Sequence, residues 1–219
     1  MIGMSRVPAR FETPQAPAIA ASGGLRKLIL ASASPRRQQL LADAGYVFEV
    51  DIADIDENAY PPTLTPAQIA EHLAGEKGRV VAGRHPEDVV IAADTVVTFG
   101  DRVLGKPLDE ADALRMLTLL SGTTHIVITG VAVVREGGVV IRSAPVMTAV
   151  RMRLLKPVEL SSYIATGDWR GKAGGYGIQD RDPFVTRVSG SRTNVVGLPM
   201  TLAREMLRDA GVNPMGKSE

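Results

Sequence analysis

Cysteine is absent from the 219 residues of this chain, which removes disulfides, thiolate nucleophiles and thiolate metal ligands together. A cysteine-free chain suits a reducing compartment, and a cytoplasmic location is the expectation. Histidine is scarce too. His72, His85 and His125 stand far apart without HExxH-type spacing, so a histidine-built zinc site is not expected. No apolar run is long enough to cross a bilayer, and Ala16 to Ala21 is too short and too weak for a secretory core. Net charge is +1, so no global field favours nucleic acid or a membrane, and neither is expected as a partner. Any affinity for phosphate must come from local clusters.

What the chain does have is 45% hydrophobic and 22% charged content, enough to bury a full core as one domain or two small lobes. Met1 to Gly24 carries Arg6 and Arg10 among scattered Pro, Ala and Ser with no sustained periodicity. We expect residues 1–24 to be a disordered extension, with an over-extended start codon as another explanation, and residues 25–219 to be a single domain.

From residue 25 onward strands and helices alternate. Arg26 to Ala31 reads as a strand, followed by a helix from Pro35 to near Gly45 with Ser34 as its cap. Tyr46 to Val50 reads as a strand and Asp51 to Glu57 as an acidic turn. Thr65-Pro66 opens a helix to about Gly83 with Ile69, Leu73, Val80 and Val81 on its apolar side. Val89 to Ala93 is a continuous apolar run of strand length. Val96 to Phe99 and Arg102 to Leu104 form a hairpin at Gly100-Asp101. Asp109 can cap a helix ending before Gly122. Two long strands follow, His125 to Val134 and about Val139 to Leu155. In the second, Val146, Thr148, Val150, Met152 and Leu154 face one way and Arg151 and Arg153 the other. Helices begin at Pro157 and Pro199. The expected fold class is α/β: an elongated mixed sheet with flanking helices and two lobes around a central cleft.

Chemistry concentrates first at Ser32-Ala33-Ser34-Pro35-Arg36-Arg37. A helix start combines unpaired backbone N–H groups, the positive end of a dipole and two guanidiniums, which together make an anion site. A capped surface helix with two solvated arginines is the plainer alternative. Several standard motifs fail. Gly167 to Ala173 is one residue short of a P-loop and ends in Ala where magnesium needs a hydroxyl. Gly174-Gly175-Tyr176-Gly177 lacks the third glycine of a dinucleotide fingerprint, and there is no G-x-S-x-G elbow. What remains is polar residues at the ends of apolar elements. Asp94-Thr95 follows the apolar run at a strand end, where a carboxylate can order a metal or a water. Lys106 sits in the tight Gly105-Lys106-Pro107 turn, Lys77 in mid-helix, Glu57 at the end of the acidic turn, and Gln179 after a glycine-rich stretch whose residues imply unusual backbone angles or a close-lying ligand. Taken singly, Asp94 could cap a turn, both lysines could be solvated, the acidic turn could be a plain surface loop, and Gln179 says almost nothing.

Their order along the chain says more. Leu30 to Arg37, Ala92 to Val97, Gly105-Lys106-Pro107, Leu120 to His125, Lys172 to Gln179 and Asn194 to Pro199 together resemble the Maf family of nucleoside triphosphate pyrophosphatases, across about residues 26 to 212. The resemblance implies a Maf/ITPase-like fold and hydrolysis of a nucleoside triphosphate to monophosphate and pyrophosphate with a divalent metal, Mg or Mn. It implies Asp94 as general base, and Glu57 with Asp94 at the metal. Ser34, Arg36, Arg37, Lys77 and Lys106 would bind the substrate, with Arg36, Thr95 and Gln179 at positions associated with base choice. That set, with the Lys172-Ala173-Gly174-Gly175-Tyr176-Gly177 stretch, is similar to the subfamily acting on dTTP and UTP, and modified pyrimidine nucleotides fall within the expectation. The alternatives are the branch acting on 7-methyl-GTP, which a pocket lined by Arg36 would disfavour by charge, and a nucleotide-sensing regulator of division without significant turnover. A homodimer is also implied. Arg192 stands where the family often has an aromatic residue, which puts local packing there in question.

Overall fold

The computed structural model describes residues 26–135, 137–180 and 184–215. The expected extension 1–24 lies outside them. Val89 to Phe99 forms one strand of 11 residues, because the apolar run resumes at Val96-Val97 beyond Asp94-Thr95 and no Gly or Pro breaks it. This is a correction: Asp94 sits in mid-strand, not at a strand end. The strand, β3, is the axis of a seven-stranded sheet. Before it come β1 (Leu28–Leu30), α1 (Pro35–Asp43), β2 (Glu49–Val50) and α2 (Pro66–Ala82). After it come β4 (Arg102–Leu104), α3 (Glu110–Leu120), β5 (Thr124–Arg135), β6 (Val139–Met152) and α4 (Pro157–Thr166). A 3-10 turn at Ala173–Gly175, β7 (Val185–Ser189), α5 (Arg192–Val196) and α6 (Met200–Asp209) complete the chain.

The strand order is β2-β1-β3-β5-β6-β7, with β4 also on β3. β1 runs parallel to β2 and β3, and the other pairs are antiparallel. One edge of β3 is covered by β5 from Val90 to Thr98. The other edge is shared: β1 pairs with Val89 to Ile91 and β4 with Val97 to Phe99. Between them, residues 92–96 have no strand partner on that side among the described residues. Asp94 lies at the middle of this gap.

Side-chain alternation gives each face of β3 its own core. One face packs Val90, Ala92 and Val96 against α2. The other packs Val89, Ile91 and Ala93 with α1 and α6, and Val97 with α3 and α4. α2 opens with a capping box, in which Thr65 N donates to Gln68 Oε1 at 2.9 Å and Gln68 N to Thr65 Oγ1 at 3.4 Å. Of the expected apolar side, Ile69, Leu73 and Val81 are buried and Val80 is only half buried, while the small residues Ala70, Ala74 and Gly78 also lie against the sheet. Small residues let the helix backbone come close. A Cβ on Gly130, the β5 partner of Asp94, would stand 2.2 Å from the Ala70 carbonyl oxygen.

Other departures have local causes. The expected strand at Tyr46 to Val50 is only Glu49–Val50, since Tyr46 turns into the core beside α6. The β6 alternation holds through Met152, but the strand ends there and Leu154 is 76% exposed. β7 and α5, not foreseen from sequence, are short elements fixed by tertiary contacts. Arg192 begins α5 as an exposed residue, with Nη2 donating to Ile178 O at 3.4 Å, so no aromatic packing is needed at that position.

His125 is 2% exposed, with Nε2 2.5 Å from the Tyr176 hydroxyl and the two rings edge-to-face at 5.3 Å. Burial lowers its pKa from 6.5 to about 4. The unfolded chain therefore takes up a proton below about pH 6.5 that the folded one refuses until about pH 4. Stability should fall as pH drops through that window, by about 3 kcal/mol. Urea unfolding at pH 7, 5.5 and 4.5 measures this, and His125→Phe should flatten the dependence; an unchanged slope in that variant would reject the assignment to His125.

Candidate active site

The gap in the edge of β3 opens into a cleft of about 450 Å³. On the α2 face, Asp94 is 4% exposed and its Oδ1 accepts a hydrogen bond from Lys77 Nζ at 2.5 Å. Lys77, two turns beyond the close approach at Gly130, also donates to Glu57 Oε1 at 2.7 Å. Lys106 Nζ donates to both Glu57 oxygens at 2.6 Å. Ammoniums and carboxylates thus alternate from Asp94 through Lys77 and Glu57 to Lys106. Burial pushes the Glu57 pKa up, but the bonds and charges of Lys106 and Lys77 outweigh it, and the pKa falls from 4.5 to about 2. Glu57 is therefore ionised throughout the physiological range. The acidic turn is not simply a solvated loop at this residue.

Thr95, next in β3, projects to the other face. There Arg37 donates from Nε to Gly197 O at 2.7 Å, from Nη1 to Ser32 Oγ at 3.0 Å and from Nη2 to Thr95 Oγ1 at 3.1 Å. Thr129 Oγ1 donates to Asn194 O at 3.0 Å, so Thr95 must be the donor in the 2.9 Å contact between the two threonine hydroxyls. A directed chain therefore runs from Arg37 through Thr95 and Thr129 to Asn194 O. Asn194 is fully buried and donates to Val127 O and Thr148 Oγ1, which fixes α5 on the sheet. Gly197 ends that helix at φ 118°, a left-handed conformation suited to glycine, and so turns its carbonyl to Arg37. Burial lowers the Arg37 pKa and the Asp94 charge opposes the shift. Thr95 is thus occupied with positioning Arg37.

Ser34 does occupy the N-cap position of α1 with extended backbone, but its side chain makes no capping bond. Its own N–H donates to Ser32 Oγ at 3.2 Å. The expected cap is therefore corrected: the local turn is closed through Ser32. Arg36 crosses the cleft, its Nη2 donating to Gly171 O at 2.9 Å. Lys172, Ala173, Tyr176 and Gln179 continue this far wall. Its glycines do adopt unusual angles, with φ 69° at Gly174 and 77° at Gly175. What lies close to them is protein: Val97 beside Gly174, Pro107 and Leu117 beside Gly175. Gly174 N donates to Gly105 O at 3.0 Å, which ties this wall to the turn bearing Lys106.

All the residues singled out from sequence, Ser34, Arg36, Arg37, Glu57, Lys77, Asp94, Thr95, Lys106 and Gln179, line this one cleft. No individual role follows from sequence for Lys172 and Asp180, which form an ion pair at 2.5 Å, or for Ser32, Thr129 and Asn194. Lys172, Ser32 and Asn194 do fall inside the family-like segments Lys172 to Gln179, Leu30 to Arg37 and Asn194 to Pro199, so their signal is present there. Thr129 looks like any polar residue in a strand and carries no signal of its own.

The description of residues 27–210 as a Maf-like protein comes from a matching family model. A dTTP/UTP pyrophosphatase from Caulobacter vibrioides is 49% identical over 191 residues, covering 85% of this chain and 97% of its own. One from Pelotomaculum thermopropionicum is 44% identical over 190 residues, covering 86% and 99%. Among solved structures, a nucleoside-triphosphatase / dITP/XTP pyrophosphatase from Mycobacterium abscessus covers 86% of this chain and 100% of its own at 16% identity, with a TM-score of 0.40, an overlap that adds nothing to the assignment. With relatives this similar over nearly their full length, and a family model that matches residues 27–210, the chain belongs to the Maf-like protein family.

Proposed function

We propose that the protein hydrolyses nucleoside triphosphates, dTTP and UTP among them, to the monophosphate and pyrophosphate, as the names of its relatives indicate for those proteins. The observation that carries this is that Arg36, Arg37, Lys77 and Lys106 line one cleft with Asp94. A triphosphate repels nucleophiles until its charge is met, and these cations meet it. Arg37, fixed by three acceptors, can aim a guanidinium without reorganising. Asp94 is the general base: Lys77 orients one carboxylate oxygen, and Oδ2 has no hydrogen-bond partner among the described residues, leaving it to accept a proton from water. Water then attacks the α-phosphorus, the bond to the β-phosphate bridging oxygen breaks, and pyrophosphate leaves against Lys106 and the arginines.

Among the described residues no group of three or more His, Asp or Glu side chains could hold a metal ion unaided. Asp94 and Glu57 offer two hard carboxylates, which fits a magnesium-class ion completing its shell with phosphate oxygens and water. Such an ion, when bound, offsets phosphate charge and makes a nearby water more acidic. A rigid, nearly buried carboxylate beside the cations is superfluous in a pure nucleotide sensor, and the guanidinium of Arg36 disfavours the cationic base of 7-methyl-GTP.

Release of pyrophosphate, distinguished from orthophosphate, across a panel of dTTP, UTP, CTP, GTP, ATP and 7-methyl-GTP tests the proposal. Pyrophosphate with dTTP and UTP ahead of the purines is expected. Negligible turnover of every triphosphate would favour the sensor, and preference for 7-methyl-GTP would reject the pyrimidine assignment. No helix among the described residues is long and apolar enough to cross a membrane.

A further inference from the structure

The cleft has two unlike ends. Asp94, Lys77, Glu57, Lys106 and Arg37 make one end densely charged. The opposite wall presents Lys172, Ala173, Tyr176 and Gln179, with Arg36 reaching across to Gly171 O, and an uncharged, flat nucleobase belongs there once the phosphates occupy the charged end. Lys172 is out of place on such a wall unless its charge is met. Asp180 meets it: Lys172 Nζ donates to Oδ1 at 2.5 Å, with the two side chains only 11% and 12% exposed. Asp180 is itself immobilised, its Oδ2 accepting from the Tyr163 hydroxyl at 2.9 Å and from Gly177 N at 3.0 Å. Lys106 and Glu57 are exposed enough to exchange partners when phosphate arrives, whereas this enclosed pair is not. Lys172 therefore offers no net charge to trap an anion. It offers spare N–H groups in a fixed place, and an ammonium can only donate.

We propose that Lys172 is a specificity-determining residue that donates to a carbonyl oxygen of the nucleobase, and that Asp180 is the positioning residue that holds it there. This rests on the nucleotide reading above. Uracil and thymine present a carbonyl at position 4, where cytosine presents an amino group. Facing Lys172, that amino group would set donor against donor, leaving both unsatisfied in a confined site. Gln179 lies beside the same pair, its Nε2 3.5 Å from Asp180 Oδ1, so one carboxylate organises two side chains of this wall.

The test compares UTP with CTP, by calorimetric affinity and by kcat/KM from pyrophosphate release, in the full chain and its variants. The double variant Lys172→Met/Asp180→Asn removes both charges together, so no lone ion is left buried, and asparagine can still accept from Tyr163 and Gly177. Wild type should favour UTP at least about tenfold, and the double variant should shrink that ratio to about threefold or less. Lys172→Arg, which keeps a donor and the ion pair, should retain the preference. A merely structural role would weaken both nucleotides alike, and a preserved ratio in the double variant overturns the proposal, as does equal wild-type affinity for the two. If the affinity ratios behave as expected without pyrophosphate release, the hydrolase assignment fails while the role of Lys172 is supported.

Discussion

Asp94→Asn should lower kcat by about 10²–10⁴-fold, the span general-base catalysis supplies, while the protein stays folded and still binds nucleotide. The substitution is isosteric, and its amide oxygen can keep the bond from Lys77, which also retains Glu57. What it removes is the capacity of this group to take a proton. Pyrophosphate release at saturating substrate measures the first effect, and calorimetry with a non-hydrolysable triphosphate measures the second. Turnover within about threefold of wild type would remove Asp94 from the role of base. Loss of binding together with turnover would show that it serves mainly to hold the cation cluster.

Gly130→Ala should be nearly as damaging although it touches no substrate. Its Cβ would stand 2.2 Å from the Ala70 carbonyl oxygen and 2.5 Å from Glu71 N, so it meets helix backbone that cannot rotate away. α2 would have to lift from the sheet and carry Lys77 away from Asp94. A loss of about 3 kcal/mol or more in urea unfolding is expected, with activity falling further than stability. Gly75→Ala, also in α2, is the control. Its Cβ would meet only the Arg79 guanidinium, at 3.5 Å, an ordinary contact with the far end of a flexible side chain, and alanine gains about 1 kcal/mol of helix propensity. Equal stability losses in the two variants would show that backbone contact at Gly130 is not the controlling feature.

Much of the site was legible before the fold was known, because its chemistry sits in short contiguous words. Ser32 to Arg37, Gly105 to Pro107 and Lys172 to Gln179 each keep their cleft-lining residues within one turn or loop. Long strands were legible too, from the alternation at Val146 to Met152. Three things were not. The continuity of β3 through Asp94 was hidden, since a carboxylate in an apolar strand looks like an end until a gap between two partner strands gives it room. The packing side of α2 was hidden because Ala70, Ala74 and Gly78 contribute closeness, which hydrophobicity does not record. The chain from Arg37 to Asn194 was hidden because its members are brought together only by tertiary structure.

The ion pairs of the cleft differ in one respect that reaches beyond any single residue. Lys77 and Asp94 have side chains 8% and 6% exposed, whereas Lys106 and Glu57 are 48% and 37% exposed. Dissolved salt weakens the outer pair and scarcely reaches the inner one. The cleft therefore has a hard floor and a soft rim: an arriving phosphate can pull Lys106 away from Glu57 at little cost, while Asp94 and Lys77 beneath it keep the geometry they acquired on folding.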